Sequence, residues 1–113
     1  MGVVTSQDGD AVIVAVSGDL DLESIAPLVT ALAEAGKTPT GPVVVDLSRV
    51  TFADSTSVNV LLRAYGDLGP RLRLAQPSAF VRRLFDVIGL EHALPVYGTT
   101  EDALGAGDAG DGS

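Results

Sequence analysis

Val43-Val44-Val45-Asp46-Leu47-Ser48-Arg49-Val50-Thr51-Phe52-Ala53-Asp54-Ser55-Thr56-Ser57 decides how this chain folds. Val43 to Leu47 is short and nearly all apolar, the pattern of a strand buried on both faces in a parallel sheet. The polar residues after Leu47 predict a turn, and the small hydroxyls and carboxylate of Asp54-Ser55-Thr56-Ser57 predict the start of a helix. Val58, Leu61, Leu62 and Tyr65 then recur at helical spacing, which predicts a helix from about Thr56 to Tyr65 that stops at Gly66. Its first turn carries an exposed serine beside an acid. Free N–H groups and a partial positive charge sit at such a helix start, so an added phosphate is well placed there.

Upstream, Val3 to Gln7 and Ala11 to Ser17 flank Asp8-Gly9-Asp10, which predicts a hairpin with a three-residue turn. Ile25, Leu28, Val29 and Leu32 mark a first helix. Pro27 fits only a first turn, so the start falls near Glu23 or Ser24, with Ser24 as the cap. Gly36 ends that helix, and a loop runs from Lys37 to Pro42. Downstream, Arg71 to Ala75 alternates as a strand does, and Ser78 opens a helix with the stripe Val81, Leu84, Phe85 and Ile88. Gly89 and Leu90 read as its C-terminal cap. Leu94 to Tyr97 makes a last strand, and Thr99 to Asp102 caps a brief final helix. The expectation is an α/β fold in one domain, residues 1–104. It has a mixed, mostly parallel sheet of about five strands, an N-terminal hairpin and about four helices. Residues 105–113 hold only small and acidic side chains and read as a disordered tail.

Asp54-Ser55-Thr56, behind Val43 to Leu47 and Val50-Thr51-Phe52, resembles the signature of the STAS domain, and more narrowly that of the bacterial anti-sigma factor antagonists. Gly18-Asp19-Leu20-Asp21 before the first helix agrees in order and spacing. So does Gln76-Pro77-Ser78 leading into Val81 to Leu90. The likeness runs from about Val3 to Leu104. It implies the same sheet architecture and a partner, an anti-sigma factor that is itself a serine kinase and supplies the ATP. Ser55 takes the place of the phosphoacceptor, Thr56 that of the second hydroxyl, which is the alternative phosphorylation site, and Asp54 that of the acidic neighbour. Asp19, Asp21, Asp54, Ser55, Thr56 and Ser57 are the implied partner contacts, and a phosphatase would reset the switch. Ser57 departs from the family, which usually has Gly after the two hydroxyls; Asn59 departs too, standing where a small or apolar residue is common. At Ser57 a Cβ and a hydroxyl would stand where a kinase must reach in, so Ser57→Gly should speed transfer to Ser55.

Composition narrows the rivals. Fifteen acids against seven bases give a formal charge of −8, which disfavours direct nucleic-acid binding because phosphate contacts need clustered Lys and Arg. No Cys is present, so disulfides and thiol nucleophiles drop out. No apolar run approaches a membrane span and no signal peptide precedes the first strand, so a cytoplasmic protein is expected. A single histidine, His92, leaves neither a zinc site nor a Ser–His pair near Ser55, and Ala53 to Ser57 is not a nucleophile elbow. No phosphate-binding Gly-rich motif occurs, so no cofactor and no enzyme activity are expected. A receiver domain would need a Lys at a late strand end, but Lys37 lies early. Two other readings stay open: a STAS module that senses a small ligand or nucleotide, and a constitutive, unphosphorylated scaffold.

Overall fold

The computed structural model describes residues 2–37, 41–90 and 93–105. His92, most of the loop after Lys37 and residues 106–113 of the expected tail lie outside the described residues. Strands β1 (Gly2–Asp8) and β2 (Ala11–Leu20) form the antiparallel hairpin. Asp8 pairs with Ala11, so the turn holds two residues, not the three expected. Gly9 has φ 64°, the positive value a type II′ hairpin turn requires at its first position. Next come α1 (Ala26–Ala35), β3 (Val43–Ala53), α2 (Ser55–Leu68), a 3-10 turn at Gly69–Arg71, β4 (Leu72–Ala75), α3 (Ala79–Ile88) and β5 (Val96–Tyr97). A last helix, α4, spans residues 100–105. The sheet order is β1-β2-β3-β4-β5, with every pair after the hairpin parallel.

Alternation along the strands splits the core into two layers. Val12, Val14 and Val16 of β2, Val43, Val45 and Leu47 of β3, and Leu72 and Leu74 of β4 face one side. There they pack with Leu28 and Leu32 of α1, Val58, Leu61 and Ala64 of α2, and Val81 and Phe85 of α3. Val44 and Ala75 face the other side, where Ala103 of α4 covers them. Arg73 points to that side as well. It is buried, and its Nη1 donates to the carbonyls of Ala103 at 2.7 Å and Leu104 at 3.3 Å.

Several element bounds differ from the sequence expectation: β2 runs on to Leu20 and does not end at Ser17, and the last strand holds only Val96–Tyr97 and not Leu94 to Tyr97. Strand β3 does not end at Leu47 but continues to Ala53, because Ser48, Arg49 and Thr51 are exposed positions of a strand still paired to β2. Register shifts between Ala15 and Ser17 and between Gly18 and Asp19 break the two-residue period there. Helix α2 runs through Gly66 to Leu68 and stops at Gly69. Gly66 is exposed, where a helical glycine costs only about 1 kcal/mol, less than the packing it would interrupt. Helix α1 begins at Ala26 with Pro27 in its first turn, and no side chain caps it. At the other ends the expectation holds: Ser78 caps α3 through Val81 N–H, Gly89 closes it in the left-handed region, and Thr99 caps α4 through Asp102 N–H. Gly105, placed in the tail from sequence, is the last described residue of α4.

Candidate functional site

Strands β2 and β3 end side by side, with Leu20 paired to Ala53 and the Asp54 N–H donating to Leu20 O at 3.3 Å. That pairing gathers the loop after β2 and the start of α2 at the C-terminal ends of parallel strands, where open α/β sheets form their sites. Asp54 is the N-cap. Its extended backbone turns the chain into α2, and its Oδ1 accepts from Thr56 N–H at 3.0 Å and Ser57 N–H at 3.3 Å. An acid therefore occupies the positive end of the helix dipole.

Ser55 is the first residue of the helix. It is exposed, and its hydroxyl has no hydrogen-bond partner among the described residues. Thr56 is half-buried. Ser57 differs from the expectation, because it is only 1% exposed and its Oγ donates to Asp54 O at 2.6 Å. Its Cβ and hydroxyl point into the protein, so Ser57 obstructs no approach to Ser55 and presents no side chain to a partner. The spacing Ser57, Leu61, Ala64 was the signal, since it places Ser57 on the inward stripe of α2.

Asp19 and Asp21 flank Leu20 at the neighbouring strand end. Asp19 is exposed, and its Oδ1 accepts from the Thr51 hydroxyl at 2.9 Å. Asp21 Oδ1 accepts from Ser24 Oγ at 2.7 Å and Ser24 N–H at 3.0 Å, while Ser24 Oγ also lies 2.9 Å from Asp19 O. The Ser24 hydroxyl, aided by the backbone N–H groups of Ser24 and Glu23, holds the Asp21 carboxyl below its ordinary value of 3.8 against some desolvation. Ser24 is thus spent on the loop and not on the helix cap expected of it. Sequence reading missed Thr51 and Ser24 as the groups that fix these two acids. The Asp-x-x-Ser spacing of Asp21 to Ser24 was its available trace. Asp46 plays no part at this site, since it accepts from Ser48 N–H and the Gln76 amide.

Among the described residues no group of three or more His, Cys, Asp and Glu is placed to hold a metal ion, and no helix is long and apolar enough to cross a membrane. The assembled site is an exposed serine on a helix start, next to the Asp54 cap, with Asp19 and Asp21 flanking the end of the neighbouring strand.

The profile of the Mlab STAS domain matches residues 3–97, so the chain belongs to the STAS domain family. A Mycobacterium tuberculosis protein provisionally named an anti-anti-sigma factor is 31% identical over 111 residues, which cover 94% of this chain and 75% of that protein. An anti-sigma factor antagonist from Mycobacterium paratuberculosis superposes with a TM-score of 0.84 at 27% identity, over 93% of this chain and 92% of its own. The antagonist SpoIIAA in its unphosphorylated form shares the fold, with a TM-score of 0.76 at 20% identity over 96% and 97% of the two chains. Each of these three relatives carries the name of an anti-sigma factor antagonist or anti-anti-sigma factor.

Proposed function

We propose that this domain binds an anti-sigma factor that is a serine kinase, and so frees a sigma factor, until phosphate on Ser55 ends the binding. The observation that carries the reading is the division of labour between Asp54 and Ser55. Asp54 caps α2, which leaves the Ser55 hydroxyl at the adjacent position exposed and, among the described residues, without a hydrogen-bond partner. A hydroxyl with no structural duty can be modified without dismantling the helix it stands on. The relatives' names point to the same kind of partner, and SpoIIAA itself is known in a phosphorylated form.

Phosphate adds about −1.5 to −2 charge near pH 7. In the free domain that charge meets water and a helix N-terminus. In a complex it would lie beside Asp54, with Asp19 and Asp21 at the neighbouring strand end, so like charge and desolvation both oppose binding. Ser55→Asp reproduces part of that charge and should weaken the complex by about 2 kcal/mol or more. Ser55→Ala should bind permanently.

The test is incubation with purified anti-sigma kinases of the source organism and ATP, followed by phosphosite mapping and calorimetry on wild type and both variants. One phosphate on Ser55, none on Ser55→Ala, and affinity lost with Ser55→Asp are expected. Binding with no modification would leave a constitutive scaffold, and no binding to any of these kinases would end the reading.

A further inference from the structure

Two aromatic rings lie at the surface within reach of the switch serine. Phe52 is 42% exposed near the end of β3, and Phe80 is 41% exposed in the first turn of α3. Their ring centroids are 5.4 Å apart with planes tilted by 41°, so each ring fixes the other. Phe52 precedes Ser55 by three residues, which limits their separation along the chain to about 11 Å. It is also the cross-strand neighbour of Asp19. Leu22, 72% exposed, is a further apolar side chain in the loop that carries Asp21.

Neither ring serves the interior. The core is complete without them, since Val50 and Ala53 of β3 and Val81 and Phe85 of α3 are already buried. A pair of mutually packed aromatic rings on a strand end that also carries Asp19 and Asp54 has the anatomy of an interface centre, where desolvated aromatic anchors carry most of the binding energy inside a polar rim. We propose that the Phe52–Phe80 pair is the apolar anchor of the surface on which the anti-sigma factor docks, and that the partner offers it an apolar pocket rimmed by basic side chains. This rests on the function proposed above. The sign of the rim selects the occupant. Asp19 is the cross-strand neighbour of Phe52 and Asp54 follows Phe52 by two residues, and a second copy would bring the same acids and another −8 of charge against them. A basic rim complements them. The arrangement also explains why a single phosphate can end binding: it would add charge at the edge of an apolar contact that must lose its water.

Phe80→Ala is the informative variant, because Ala is a good helix former at an exposed helical position. Val87→Ala, at a 78% exposed residue of the same helix, is the control. Affinity is measured by calorimetry for the anti-sigma kinase that binds wild type, with thermal melting of each variant. Phe80→Ala and Phe52→Ala should each lower affinity by about thirty-fold, the loss that defines an interface anchor, with melting of Phe80→Ala close to wild type. Val87→Ala should bind as wild type. If wild type binds a kinase and Phe80→Ala binds it equally, the anchor is wrong and the proposed function stands. If wild type binds no kinase, the function falls and the anchor with it. A wild-type dimer by sedimentation that Phe80→Ala dissolves would assign the rings to a second copy and overturn the proposal.

Discussion

Helices α1 and α2 leave neighbouring parallel strands at the same edge of the sheet, yet their starts are built differently. Strand β2 reaches α1 through Asp21 to Ile25, and the acid and hydroxyl of that loop bind each other. No side chain is left to cap α1, whose first turn relies on Pro27. Strand β3 reaches α2 through Asp54 alone, and that one acid caps the helix. An Asp and a Ser are present at both places. Where they are three residues apart they neutralise each other's hydrogen-bonding capacity. Where they are adjacent the acid takes the helix N–H groups and the serine is released to solvent. Adjacency, not composition, makes one of them a modifiable hydroxyl.

Removing the acid from the second start should have the largest effect. Asp54→Ala frees the N–H groups of Thr56 and Ser57 and should cost about 1–2 kcal/mol, while Ser55→Ala, one residue on, should cost under about 0.5 kcal/mol. Denaturant melts of the two proteins check this, and equal losses would mean that Ser55 shares the cap. Next comes Ser57→Gly. Its buried hydroxyl bond and helical backbone are worth about 1 kcal/mol together, so stability should fall by roughly that amount. Because the side chain faces inward, phosphate transfer to Ser55 should not accelerate; a faster transfer in a timed kinase assay would restore the steric role first expected of Ser57.

The smallest effect belongs to the first start. Ser24→Ala removes the main cause of the low Asp21 pKa, so the carboxyl should move back toward 3.8. A depressed folded-state pKa contributes stability above the unfolded value, and that contribution is lost as pH falls through the folded one. Wild type and Ser24→Ala should therefore differ more above pH 4 than below the lowered Asp21 value. Carboxyl titration by NMR reads the shift directly, and an unmoved Asp21 would show that backbone N–H groups hold it alone.

Much of this arrangement was legible because it is local. Apolar spacing located all three long helices, and the caps at Ser78, Gly89 and Thr99 depend on residues within one turn. The helix start at Asp54-Ser55-Thr56 was legible in the same way. What escaped depended on distant partners. Strand β3 continues past Leu47 because β2 lies alongside it with shifted register, which no single segment shows. Ser24 has two local uses, and the loop geometry chose between them. Ser57 read as surface from its chemistry, yet the helical phase that buries it was present in the residues that follow.

Arg73 carries a consequence for how the molecule comes apart. A terminal helix as short as 100–105 ordinarily frays independently of the sheet. Here the carbonyls of Ala103 and Leu104 are held by a guanidinium that is itself buried. Releasing the helix alone would strip that cation of these acceptors, so the amides of 103–105 should exchange with solvent on the timescale of β4 and not of a loose end. Exchange at 103–105 as fast as at a free chain end would show that the Arg73 bonds do not couple this helix to the sheet.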